Sequence, residues 1–366
     1  MNDQPIFPDY SANVRAIVPA LLGPQPRAGR DWMPGPVRDA RQVVILVVDG
    51  LGWEQFDQRR AIMPALASFD GGPITTVAPS TTATALTSIT TGLTPGEHGL
   101  VGYRIDLGGE VLNVLRWATP AGDARRKYEP NRVQPFAPFM GESVPIVTKA
   151  DFQHSGFTEA HLRGGRFFGW RATSSLAVSV GELLRAGEPL IYAYYDGIDK
   201  IAHERGFGEY YDAELRSTDD LVEQVRAQLT DGSALLVTAD HGQVEVGTNL
   251  QAPDAEVLRL TRYMSGEGRF RWLHARPGVA EELLEVASAA HGDVAWVMTR
   301  QQMIDDGWFG PVVSPPVAAR FGDVALITKA PMSFVDPADS GPFPLVCRHG
   351  SLTSAEMLVP LLACTS

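Results

Sequence analysis

Six side chains of this sequence could hold divalent cations: Asp49, Asp199, His203, Asp240, His241 and His349. Carboxylate oxygen and imidazole nitrogen together suit zinc, with manganese or iron as alternatives. Asp199 and His203, in DKIAHERG, are four residues apart, so on a helix they stand on one face, a turn apart, within reach of one ion. Asp240 and His241 are adjacent in TADHG, where Gly242 permits tight backbone geometry. His349 precedes Gly350 in CRHGSL, and Thr353 with Glu356 could box the start of a short helix beyond it. Singly, each is more often a turn residue, a cap or a surface pair; the weight lies in the set. Six candidates exceed the needs of one tetrahedral zinc, so two ions are expected. A pair roughly 3.5–4 Å apart is a standard device of phosphoryl chemistry, one ion serving the nucleophile and the other the leaving oxygen.

A second stretch, APSTTATALTSITTGLTPGEHG (Ala78 to Gly99), is crowded with hydroxyls. Pro79 ends an extended approach, and Ser80 or Thr81 could cap a helix from about Thr82 to Thr91 that stops at Gly92. Interior hydroxyls such as Thr87 and Thr90 are expected to bond back to the helix. A hydroxyl at the helix start differs, because free N–H groups and the positive end of the dipole favour an anion there. An alcohol is a poor nucleophile until a divalent cation stabilises its alkoxide.

These residues need elements to bring them together. Five of the six residues Val43 to Val48 are β-branched, and Asp49-Gly50 ends the run, as in a strand buried on both faces of a parallel sheet. PLIYAYYDGID (Pro189 to Asp199) and SALLVTADHG (Ser233 to Gly242) repeat the form, and ESVPIVTKADF reads as another core strand. Asp212 to Leu229 has helical apolar spacing. The expected fold is therefore α/β: a doubly wound, mostly parallel sheet sandwiched by helices, with ligands bound outside the carboxyl ends of the strands. Residues 253–330 interrupt the series of acid-tipped strands and read as a small α+β insertion, leaving 1–252 and 331–366 as the core. Leu21 to Pro36, rich in Pro, Gly and Arg, reads as a surface arm.

A length of 366 residues, 44% hydrophobic and 20% charged, describes a globular chain rather than a disordered one. The net charge of −12 disfavours nucleic-acid polymers and anionic membrane surfaces, yet admits a small phosphate ester beside a bound cation. Two cysteines, Cys347 and Cys364, make no disulfide framework. No apolar run reaches the roughly 18–20 residues of a membrane span. The N-terminus lacks the basic start and apolar stretch of a secretory signal, so a cytoplasmic protein is expected. Oligomeric state is not legible.

In their order, ILVVDGLG, PSTTATALTSITTGLTPGEHGLVG, DGIDKIAHERG, TADHG and RHG resemble the alkaline phosphatase superfamily, and within it the type I phosphodiesterase/nucleotide pyrophosphatase family. The resemblance spans Ile45 to Gly350 and implies the alkaline-phosphatase-like fold. It places the nucleophile at Thr82, with Thr81 as the rival. It implies one metal on Asp49, Thr82, Asp240 and His241 and another on Asp199, His203 and His349. The implied reaction is in-line attack on phosphorus, a phospho-threonine intermediate and its hydrolysis from the opposite side. Two features depart from the family pattern. Ala83 to Leu86 stand where classical nucleotide pyrophosphatases carry an aromatic and PNH, and Tyr103, followed by Arg104, stands where they tend to carry Asn. The Tyr103 hydroxyl or the Arg104 guanidinium is thus the candidate replacement donor to a phosphoryl oxygen, the alternative being a packed Tyr103 and a solvated Arg104. Rival readings are a monoesterase or phosphomutase on the same scaffold and, more remotely, a non-catalytic metal-binding protein.

Overall fold

In the computed structural model, residues 4–24, 31–339 and 345–366 are described. Of the expected surface arm, residues 25–30 lie outside them, while Ile17–Leu22 and Gly35–Arg38 on either side are short helices. The main sheet is built from β1 (Gln42–Val48), β2 (Asp70–Thr75), β3 (Pro145–Lys149), β4 (Arg166–Trp170), β5 (Leu190–Tyr195), β6 (Ser233–Thr238) and β11 (Leu358–Thr365), the labels β7 to β10 belonging to a second sheet. Its spatial order is β2-β11-β6-β1-β5-β3-β4. The five strands from β6 to β4 are mutually parallel, and β11 runs antiparallel to both β6 and β2. Every residue of β5 and β6, and all of β1 beyond Gln42, is buried, which is why these strands read as unbroken apolar runs.

The three acid-tipped strands are the three central neighbours, β6-β1-β5. Neighbouring strands lie about 4.8 Å apart, so residues just past their carboxyl ends fall within a few ångströms of one another although they are far apart in sequence. Helices α1 (Thr82–Thr91), α2 (Gly156–Leu162), α3 (Gly197–Arg205) and α4 (Glu209–Arg226) include those that carry the remaining site residues. All ten residues of α1 are buried. Thr87 donates to the Ala83 carbonyl at 2.7 Å and Thr90 to that of Leu86 at 3.0 Å, so the interior hydroxyls bond back to the helix. Gly92 ends α1 in the left-handed conformation.

The second sheet consists of β7 (Thr261–Glu267), β8 (Phe270–Ala275), β9 (Ala295–Thr299) and β10 (Val324–Thr328), ordered β7-β8-β10-β9 and antiparallel throughout. Alternation along its strands splits its side chains. Leu273, Val324 and Leu326 face a small core with Val257, Leu283 and Phe334, while Phe270, Trp272, Ala325 and Ile327 join the main core with Trp308, Phe309 and Phe321. The chain enters and leaves this unit through a parallel pair, Leu250–Gln251 against Ser333–Phe334. Beyond it, Ser354–Met357 is the expected short helix, but Thr353 spends its hydroxyl on Glu356 instead of capping it.

Candidate active site

Beyond the central strands, the turns present a dense set of carboxylates and imidazoles. Asp49 follows β1, Asp240 follows β6 and carries His241 beside it, and Asp199 lies in the first turn of α3 with His203 one turn on. His349 arrives on the Cys347–Arg348 strand, which pairs with Val244–Glu245 just past His241. The geometry resolves into two groups that share His241: Asp49, Asp240 and His241, and Asp199, His241 and His349. In the first, His241 Nε2 is 3.4 Å from Asp49 Oδ1 and 3.4 Å from Asp240 Oδ2. In the second, Asp199 Oδ1 is 4.0 Å from His349 Nε2, while His203, outside both groups, places its Nε2 3.2 Å from the same oxygen. The rings of His241 and His349 stack at 3.6 Å.

The three imidazoles are oriented alike. Nδ1–H of His203 donates to the Cys347 carbonyl at 2.7 Å, that of His241 to Gly242 at 3.0 Å and that of His349 to Ser80 at 3.1 Å. A carbonyl can only accept, so each neutral ring keeps its proton on Nδ1 and offers the Nε2 lone pair, the usual arrangement of a metal-ligating histidine. The carboxylates are equally prepared. Asp49 Oδ1 and Asp240 Oδ2 are buried with no hydrogen-bond partner. The companion oxygens are fixed: Asp49 Oδ2 accepts from the Tyr194 hydroxyl, and Asp240 Oδ1 from the N–H groups of Gly50 and His241, each at 3.1 Å. Orphaned buried carboxylate oxygens are costly, and a divalent cation between them removes that cost. The residues present therefore fit metal ions. Gly50 is required here on two counts: its φ is +74°, and a Cβ would come within 2.4 Å of Gln243 Nε2 and 3.0 Å of the Asp199 backbone.

The electrostatics of the ion-free residues follow from this crowding. Burial, and then the neighbouring Asp240 and Asp199, push the Asp49 carboxyl well above the usual range. Burial likewise raises Asp240. Asp199 moves the other way: burial is outweighed by His203, His349 and His241, and its carboxyl is lowered. Its partner His203 is raised, Asp199 overcoming the effect of burial, whereas burial and the adjacent His241 and His203 hold His349 well below the ordinary imidazole value.

Thr82, the first residue of α1, places Oγ1 3.1 Å from His241 Nε2, among the ligand atoms of the first group. Thr81 is the N-cap residue but makes no side-chain cap. The other candidates stand apart. Tyr103 meets Glu267 through its backbone N–H at 2.9 Å. Arg104 is neither a free donor nor solvated: it is buried, with Nη1 2.7 Å from Asp336 and 2.8 Å from Asp339. Neither residue lines the cavity of about 240 Å³ that opens beside Asp49, Thr82 and Asp199. That cavity is walled by Leu86, Phe152, Phe157, His161, Tyr192 and Tyr194. Trp117, Trp170 and Trp308, aromatics that could have lined such a cleft, are core residues instead. His98 is structural, accepting from Leu100 N at 3.1 Å and bonding Ser88 at 2.9 Å, and burial depresses it to about 3.

Several contributors carry no sequence signal. Gln243 donates to Asp199 Oδ1 at 2.9 Å, and Tyr194 steadies Asp49. Asp196, the residue that actually ends β5, is occupied by Lys149 at 2.5 Å and Lys200 at 2.6 Å.

Comparison with known proteins gives the family and the fold. A family model described as type I phosphodiesterase / nucleotide pyrophosphatase matches residues 43–350. No curated protein matches the sequence significantly. Among solved structures, murine ectonucleotide pyrophosphatase / phosphodiesterase 5 superposes with a TM-score of 0.65 at 15% identity, covering 89% of this chain and 88% of that one. An inactive threonine-to-alanine variant of the same murine protein, in complex with AMP, gives 0.64 at 15% identity over 89% and 88%. Phosphonoacetate hydrolase from Sinorhizobium meliloti 1021, in complex with phosphonoformate, gives 0.65 at 16% identity over 89% and 90%. At such identities these likenesses establish the alkaline-phosphatase-like fold, while the family match covers most of the chain. The protein belongs to the type I phosphodiesterase/nucleotide pyrophosphatase family and is a phosphoric ester hydrolase.

Proposed function

We propose that this hydrolase cleaves a small phosphate diester or anhydride by double displacement, with Thr82 as nucleophile. The observation that carries the reading is the placement of Thr82 Oγ1 beside His241 Nε2, which itself stands 3.4 Å from two buried, unpartnered carboxylate oxygens. One divalent cation would be held by Asp49, Thr82, Asp240 and His241, the other by Asp199, His203 and His349; zinc suits this donor set best. When bound, the pair supplies charge that lowers the hydroxyl pKa and offsets negative charge at the reacting phosphoryl group. Thr82 gives up its hydroxyl proton to solvent and Oγ1 forms a bond to phosphorus as the bond to the leaving oxygen breaks, in line; that oxygen takes up a proton from solvent. Water attacks the phospho-threonine from the opposite side and releases Thr82, so configuration is retained overall. The start of α1 favours the anionic oxygen, since its first N–H groups lack intrahelical acceptors. The inactive threonine-to-alanine variant among the similar structures supports the nucleophile assignment.

A monoesterase must also offset a further phosphoryl charge. Lys149 and Lys200, the lysines beside the site, are already engaged by Asp196, which favours the diester. A net charge of −12 supports a small-molecule rather than polymeric nucleic-acid partner. Two free cysteines, both held protonated by burial, support a cytoplasmic setting. Thr82→Ala should lower turnover of bis-p-nitrophenyl phosphate by at least about 10³-fold, in line with loss of a nucleophile acting as a unit with its activators, while metal content stays unchanged. Normal turnover in that variant defeats the assignment, and faster cleavage of the monoester than the diester by the native protein defeats the diester reading.

A further inference from the structure

The second sheet sends one side chain to the candidate active site. Glu267 is the last residue of β7, buried at 8% exposure, and it meets both chain segments that frame Thr82. The Thr81 hydroxyl, one residue before the nucleophile, is among the groups that act on the Glu267 carboxyl, lowering it against the effect of burial. Its Oε2 accepts from Tyr103 N–H at 2.9 Å. Its stem lies over Gly350, one residue after His349: a Cβ on Gly350 would come within 2.7 Å of Glu267 Cγ and 3.2 Å of Oε1. These two segments already touch, since Ser80 N donates to the Gly350 carbonyl at 3.2 Å and His349 Nδ1–H to the Ser80 carbonyl at 3.1 Å. The remaining oxygen, Oε1, is buried without a hydrogen-bond partner.

A buried carboxyl with an orphan oxygen costs stability that an apolar side chain of similar size would not. Ordinary packing does not account for it. We propose that Glu267 is a positioning residue through which the inserted sheet sets the start of α1 and the His349 loop relative to each other, and so aligns Thr82 for attack. The inference rests on the assignment of Thr82 as nucleophile. Burial raises the Glu267 carboxyl to about 7, so a neutral amide of the same shape is a fair mimic of it.

Two measurements on the full-length protein separate this inference from the reading it rests on. In metal-free protein, hydrogen exchange resolved by mass spectrometry should show peptides covering Ser80 to Thr82 and Tyr103 exchanging about tenfold faster in Glu267→Ala than in the native chain, with Glu267→Gln near native. In zinc-loaded protein, Glu267→Ala should lower kcat for bis-p-nitrophenyl phosphate about tenfold or more, with KM and metal content within about twofold. Glu267→Gln should recover kcat to within about threefold. Unchanged exchange and unchanged kcat in Glu267→Ala overturn the inference, as does a Glu267→Gln variant as impaired as the alanine. If the native protein with zinc or manganese cleaves no phosphate ester, the functional reading fails instead, and the exchange experiment still decides whether Glu267 orders these segments.

Discussion

At the scale of single residues, the candidate site is a set of proposed metal ligands whose protonation follows from their surroundings. His349 is held neutral by burial, so it has no proton to lose to an incoming ion, whereas Asp49 and Asp240 are raised by burial and His203 is raised by Asp199. A raised group holds its proton to higher pH, and a metal must displace that proton to bind. Apparent zinc affinity should therefore strengthen steadily from pH 6 to pH 8, with protons released on binding. Calorimetry in buffers of different ionisation enthalpy measures both, and affinity flat across that range would contradict the assignment of these groups. Sequence alone could bring these residues forward because Asp recurs at or just beyond the ends of apolar strands, with His close by. It could not find Gln243, Tyr194 or Glu267, because their contribution is a contact made across 44, 145 and 164 residues of chain, with no local spacing to betray it.

At the scale of elements, short apolar runs ending in Asp sufficed to place β1, β5 and β6 in a parallel sheet, and their burial and parallel pairing bear this out. The hydroxyl-rich helix was legible to the residue, Thr82 to Thr91, because Pro79 and Gly92 bracket it. Arg104 was not legible, since its partners Asp336 and Asp339 come from the far side of the second sheet. That sheet is tied to the core by one buried pair in particular. Arg269, in the β7–β8 turn, places Nε 2.7 Å and Nη2 2.8 Å from the two oxygens of Glu356, with both side chains fully buried. Glu356 also accepts from Ser351 N at 3.0 Å, two residues beyond His349. Removing one partner of such a pair leaves an uncompensated charge, so Arg269→Met should cost about 3–5 kcal/mol in urea unfolding. It should also weaken zinc binding through the loosened His349 loop. A loss below about 1 kcal/mol would mean that the pair is not what fastens the sheet.

At the scale of the whole molecule, the site's chemistry works against the protein's own field. The chain carries a net charge of −12, and the site gathers four of its aspartates, Asp49, Asp196, Asp199 and Asp240, close together, yet the family acts on anions. Bound cations reverse the sign within a few ångströms, but an approaching ester meets the summed charge first. Mobile ions screen charges over a Debye length of about 10 Å at 0.1 M and about 30 Å at 0.01 M. Salt should thus weaken the long-range repulsion while leaving the short-range contacts in the site largely intact. For an anionic diester, kcat/KM of the zinc-loaded enzyme should rise about two- to threefold between 10 and 200 mM sodium chloride, entirely through KM, with kcat unchanged. An uncharged reporter such as a phosphotriester should show no such rise. A kcat/KM that falls with salt for the diester alone would mean that a local positive field steers substrate inward, and the paired states of Arg104, Lys149 and Lys200 would then have to open before substrate binds.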